Sequence, residues 1–150
     1  MKRVLAALVV AVAGLAATAH GDGGPQVVVR TADGEQVVAA PAGRGFALAY
    51  RHSVYRTPAE ERFRVCSGGG FELTEIASPS EAVLDYYALD GSRARRGSMW
   101  VLRPARAPRF SELALAATRT GRRTLVAGGR RTPLWRSDGH AAHLRITVTR

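Results

Sequence analysis

Phe46-Ala47-Leu48-Ala49-Tyr50-Arg51-His52-Ser53 decides the fold. Large side chains hold every second position, and small or polar ones hold the positions between. A period of two belongs to a β-strand, because successive side chains point to opposite faces of a sheet. The same alternation returns around this stretch. Phe63 and Val65 share a face in the run ending at Cys66, and Phe71, Leu73 and Ile76 follow the glycines at 68–70. Leu113 and Leu115 alternate with Glu112 and Ala114, and Leu144, Ile146 and Val148 alternate with His143, Arg145 and Thr147. Upstream, Gln26 to Arg30 and Glu35 to Ala40 flank Asp33-Gly34, a dipeptide that favours a tight hairpin turn. Met99 to Leu102, Thr124 to Ala127 and Pro133 to Trp135 are further short apolar runs bounded by Gly or Pro. Ala82 to Tyr87 reads as either a strand or a helical turn, and Asp90 to Gly97, rich in Arg and Gly, reads as a flexible loop. No segment keeps a helical period over three turns. The pattern predicts an all-β chain, a single antiparallel sandwich or open barrel of about 8–10 short strands.

The N-terminus carries a separate signal. Met1-Lys2-Arg3 is basic, Val4 to Ala19 is uncharged and mostly aliphatic, and Ala17-Thr18-Ala19 ends the run with small residues. That order predicts a secretory signal peptide. The apolar run is shorter than the roughly 20 residues a membrane span needs. The expected organisation is a signal peptide at 1–19, an N-terminal hairpin and linker at 20–44, and a β-sandwich domain at 45–150. The protein is expected in the periplasm, outside the cell or in the cell envelope, with no stable membrane span after cleavage. Export argues against most ATP- and nicotinamide-dependent chemistry, and no cofactor motif is present.

Charge and cysteine content narrow the reading. The chain carries a net charge of +10, and every cation after Arg3 is an arginine. Arg clusters at 93–96, 122–123 and 130–131 sit beside glycines, as solvated turn charge does. An anionic envelope polymer is a third possible partner; nucleic acid is not expected, since neither a binding motif nor an aromatic stacking array accompanies the charge. Cys66 is the only cysteine, so no intramolecular disulfide forms, and its place in an apolar pattern predicts a buried structural role.

The densest polar segment runs from Tyr50 to Phe63. A hairpin between its two halves brings His52 towards Glu61, which would raise the imidazole pKa and fix its tautomer. Tyr50, His52, Ser53, Thr57 and Glu61 are the candidate binding residues. A Ser53/His52/Glu61 hydrolytic triad is disfavoured, because neighbours on a strand face opposite ways and no Gly-x-Ser-x-Gly elbow is present. Simple bracing of the turn by His52, Ser53 and Thr57 is the plainer reading. A second hypothesis is an exported copper- or zinc-binding, or metal-dependent, protein centred on His52 and Glu61. Cleavage after Ala19 would expose His20 as an amine-plus-imidazole ligand, with His52, His140 and His143 available to complete the set. Asp85-Tyr86-Tyr87, Trp100 and Trp135 supply aromatic surface that either lines a groove or packs the core.

The stretch Phe46-x-Leu48-x-Tyr50-x-His52-Ser53-Val54-x-x-Thr57-Pro58-x-x-Glu61-x-Phe63-x-Val65 resembles the signature of the domain of unknown function 1850 family of small exported bacterial proteins. The resemblance extends towards the final Gly139-to-Val148 segment. It implies an extracytoplasmic role near TRAP transporters of the TAXI type, beside which such proteins are often encoded, and hence near the uptake of organic anions. It implies transport components or a small organic anion as partners, and no enzymatic activity is established for the family. Many members carry a Gly-Ala-Gly-Leu-Pro piece after the third strand. Here that region reads Ser78-Pro79-Ser80-Glu81-Ala82-Val83-Leu84-Asp85-Tyr86-Tyr87, a departure that would change what this member binds if that loop carries the family's function.

Overall fold

The computed structural model describes residues 23–150. The expected signal peptide at 1–19 and His20 lie outside the described residues. In chain order the elements are β1 (Gln26–Thr31), β2 (Gln36–Pro41), β3 (Gly45–Arg51), β4 (Pro58–Val65), β5 (Phe71–Ser78) and α1 (Glu81–Tyr86). There follow β6 (Gly91–Arg96), β7 (Met99–Pro104), β8 (Arg109–Phe110), β9 (Glu112–Ala117), β10 (Thr124–Ala127), β11 (Arg130–Pro133) and β12 (Ala142–Thr149).

The strands form two antiparallel sheets, neither of them closed. The smaller runs β2-β1-β12-β9, and the larger runs β11-β10-β3-β4-β5-β7-β6, with β8 added to β5. The inward faces meet in one core. Val27, Val29, Leu144 and Ile146 come from the smaller sheet, and Phe46, Leu48, Phe63, Phe71, Ile76, Leu102 and Leu125 from the larger. This is the all-β sandwich that the period-two pattern predicts. At its centre Phe46 stacks on Phe63 at 5.1 Å and meets Phe71 edge-on, and Phe71 stacks on Phe110. Such ring pairs add about 0.5–1.5 kcal/mol beyond the area they bury. Cys66 is buried. Gly45 opens β3 because a Cβ there would fall 2.1 Å from the Phe63 carbonyl oxygen.

Three segments differ from the sequence expectation. Asp90 to Gly97 is not a loop: Gly91–Arg96 is strand β6, paired with β7 along its whole length. Its residues are all exposed, so it shows no apolar alternation. It is an edge strand, where charge discourages further pairing. Counting it and the two-residue β8, the described residues hold more strands than expected. Ala82 to Tyr87 resolves into helix α1, which covers one end of the core with Val83 and Leu84. No helix among the described residues is long and apolar enough to cross a membrane.

The outward face of the larger sheet is polar and charge-paired. Glu75 of β5 is buried beneath three guanidiniums, those of Arg62, Arg96 and Arg103 at 3.3, 2.6 and 3.0 Å. Burial pushes its pKa up. The hydrogen bond and charge of Arg96, with the charges of Arg62 and Arg103, outweigh burial and hold the carboxyl below its ordinary value. Glu72 is bound similarly by Arg64 and Arg109.

Candidate functional site

The site lies where the β3–β4 corner, the C-terminal end of α1 and the crossing from β9 to β10 converge. That crossing carries the chain from one sheet to the other. It is stitched down locally: the Gly121 amide donates to Thr118 Oγ1 at 2.9 Å, and the Gly121 carbonyl accepts the Arg51 amide at 2.7 Å. The stitch places two adjacent arginines on opposite sides of the larger sheet. Arg123 enters the inner cavity, and Arg122 lies on the outer side. The inner cavity has a volume of about 500 Å³. It is lined by Tyr50, His52, Glu61, Tyr86, Tyr87 and Arg123, with Arg51, Ser53 and Ala116 at its margins.

Tyr50, Glu61 and Tyr87 form a hydrogen-bonded chain that ends on Arg123. The β3–β4 register pairs Tyr50 with Ala59 and Leu48 with Glu61, so Tyr50 and Glu61 share the inward face on a diagonal. The Tyr87 hydroxyl donates to Glu61 Oε1 and contacts the Tyr50 hydroxyl. Tyr87 has one proton and gives it to the carboxylate, so Tyr50 must donate to the Tyr87 oxygen. The other Glu61 oxygen lies 3.6 Å from Arg123, whose guanidinium covers the Tyr50 ring at 4.8 Å. Burial, first of all, and the nearby Glu61 charge push Tyr50 up to about 12, against the lowering effects of the Tyr87 bond and the Arg123 charge. The same two causes, burial and Glu61, raise Tyr87 further. Both phenols therefore stay protonated at neutral pH and act as donors.

The structure corrects the expected pairing of His52 with Glu61. Arg51 pairs with Pro58 at the end of the hairpin, and Glu61 sits three rungs back, where Tyr87 and Arg123 occupy its oxygens. His52 is instead a buried brace of the corner, 4 % exposed. Its Nδ1 accepts the amides of Val54 and Tyr55, both at 3.3 Å. Its backbone amide donates to the Thr57 carbonyl at 2.9 Å. The ring packs edge-on against Tyr86 at 4.8 Å. Ser53 is exposed at the rim of the cavity. Thr57 Oγ1 is buried with no protein hydrogen-bond partner, so the expected bracing role falls to His52 and to the Thr57 backbone.

The other sequence candidates separate. His140 and His143 are exposed and line a different cleft with Asp33 and Asp138. Among the described residues no group of three or more His, Cys, Asp or Glu side chains is arranged to hold a metal ion; the set considered from sequence is built on His20, which lies outside the described residues. Tyr86 and Tyr87 do line a groove. Trp100 and Trp135 pack at the margin of the core beneath Arg95 and Arg122. Arg123 is a site residue that sequence reasoning placed only among solvated turn charge, and Tyr87 was read as aromatic surface without its bond to Glu61. Both reach Glu61 from distant parts of the chain.

The family model described as a domain of unknown function, DUF1850, matches residues 46–134. The chain belongs to this family. The match begins at the first core phenylalanine of β3 and ends just after β11, so it contains every residue that lines the inner cavity. No curated protein and no solved structure matches the chain.

Proposed function

We propose that this family member is an exported, non-catalytic β-sandwich that binds a small organic anion in the inner cavity, as an accessory to uptake by TRAP transporters of the TAXI type. The charge of the cavity carries this reading. Arg51 and Arg123 line it against a single carboxylate, Glu61, and that carboxylate already accepts the Tyr87 hydroxyl. A ligand carboxylate can draw on the Arg123 guanidinium and on the Ser53 hydroxyl, with the Arg51 side chain turned to the Arg56 carbonyl at the margin, while an apolar body packs against Tyr86 and Ala116. A cavity of this size, with three tyrosine rings and a few convergent polar groups on its wall, is of the kind that holds small molecules.

Binding is favoured over turnover by the state of the polar groups. The His52 Nδ1 lone pair is committed to the corner, which leaves the proton on Nε2, and the two phenols are held protonated. Export rests on the basic, apolar and small-residue order of the first nineteen residues. The link to transport rests on what the family resemblance implies.

The test is calorimetric titration of the protein with acetate, succinate and phenylacetate. At least one should bind saturably, and Arg123→Gln should weaken it by about tenfold or more, as expected for loss of a charge-assisted contact. Absence of binding across the series, or equal binding by the variant, overturns the reading.

A further inference from the structure

On the other side of β3 the larger sheet carries a second trough, of about 470 Å³. Ala49, Pro58, Thr124 and Met99 line it, and four arginines surround it: Arg51, Arg56, Arg122 and Arg131. Two features mark this group: all four lack a carboxylate partner, and two of them, Arg56 and Arg122, also hold a left-handed backbone. Arg62, Arg64, Arg96, Arg103 and Arg109 all pair with a carboxylate. Among the described residues no carboxylate lies within ion-pair distance of Arg51, Arg56, Arg122 or Arg131. Glu60, the acid on the trough wall, is paired with Arg62 at 2.7 Å.

The second feature is backbone conformation. Arg56 and Arg122 hold φ of 57° and 47°, the left-handed region that glycine or asparagine enters at lower cost. Each costs of order 1 kcal/mol or more relative to glycine, and such strain concentrates where function requires a side chain. Both strained residues line the same trough, and the Arg122 guanidinium lies over the Trp135 ring at 6.0 Å. The Arg56 carbonyl, in turn, accepts Arg51 Nε at 2.9 Å and orders that side chain at the rim.

We infer that this trough, which shares Tyr50 and Arg51 with the wall of the inner cavity and no other lining residue, is a second anion site built for a multiply charged phosphate-class group. Four unpaired planar guanidiniums across a shallow floor suit several phosphate oxygens at once, since each fork can engage two. A single carboxylate would leave most of them without a partner. The chemistry is shared by a free oligophosphate and by phospholipid headgroups at a bilayer surface, and the two sources separate experimentally.

Tripolyphosphate is titrated calorimetrically into the full folded domain at about 100 mM salt, where long-range surface attraction is largely screened. Sedimentation with vesicles runs in parallel, comparing phosphatidylcholine alone with phosphatidylcholine containing phosphatidylglycerol. Arg56→Gln/Arg131→Gln is compared with Arg136→Gln/Arg145→Gln, which removes the same charge from ion pairs elsewhere. Tripolyphosphate should bind the wild type and the control pair alike and bind the trough variant about tenfold or more weakly. Thermal unfolding of both variants establishes that they fold. Trough-dependent capture by the anionic vesicles assigns the site to headgroups, and tripolyphosphate binding without capture assigns it to a free oligophosphate. The inference is overturned if neither probe binds, or if the two double variants lose binding equally.

Discussion

Replacing Tyr87 by phenylalanine removes one oxygen from the centre of the Tyr50–Tyr87–Glu61 chain and almost no volume. The lost bond is a hydroxyl donating to a carboxylate whose side chain is only 13 % exposed. Hydrogen bonds to charged groups contribute about 1.5–3 kcal/mol net. Glu61 keeps Arg123 at 3.6 Å and water can enter the cavity, which favours the low end of that range, so that with the neutral Tyr50 bond lost through the same oxygen the total is about 2–3 kcal/mol. Tyr50→Phe breaks only a neutral contact and should cost about 1 kcal/mol. The double variant should cost about the same as Tyr87→Phe alone, because the Tyr50 proton has no acceptor once the Tyr87 oxygen is gone. The coupling is then about 1 kcal/mol, within the range for residues in contact. Urea denaturation of the four proteins measures it. For a domain of this size Tyr87→Phe should also lower Tm by about 6–10 °C. Additive single effects, or a Tyr50→Phe cost equal to that of Tyr87→Phe, would refute the assigned direction of the chain.

Three further outcomes are expected. His52→Ala leaves the Val54 and Tyr55 amides without their acceptor at a buried corner and should destabilise the fold by about 1–3 kcal/mol, read by the same urea titration. Thr57→Val removes a buried hydroxyl that has no protein partner and should be neutral or stabilising by up to about 1 kcal/mol; a loss of more than that would show that the hydroxyl is satisfied in solution. Glu75, depressed from 4.5, contributes stability that is fully present above that value and is lost as pH falls through its lower folded value. Glu75→Gln should therefore flatten the fall in Tm on acidification below a pH of about 4.5, and an unchanged slope would contradict the Arg62–Arg96–Arg103 cage.

Much of the fold was legible because half-buried strands write their faces into the sequence. Phe46, Leu48 and Tyr50 alternate, and the structure places the first two in the core and the third on the same inward face. Asp33-Gly34 announced the β1–β2 turn. Gly91–Arg96 escaped the same reading because an edge strand with no buried face leaves no period to detect; its arginines look like loop charge until Arg96 is seen on Glu75. The site was half legible. Tyr50 and Glu61 lie on neighbouring strands of one hairpin, and local pattern brings them together. Tyr87 arrives from a six-residue helix and Arg123 from the crossing between sheets, contacts set by topology rather than by spacing. His52 was singled out, but its partner was misjudged, since the hairpin closes at Arg51 and Pro58 and its register sets Glu61 opposite Leu48, three rungs back from that pair and out of reach of His52.

The central claim is that the inner cavity takes an organic anion through Arg123. The most direct measurement follows the Arg123 side-chain Nε–Hε resonance and the Tyr50 and Tyr87 backbone amides by NMR while phenylacetate or succinate is added. The account predicts saturable shifts at all three, with one dissociation constant, from at least one of the two anions. Shifts confined to other arginines, or linear drift without saturation for both anions, would contradict it.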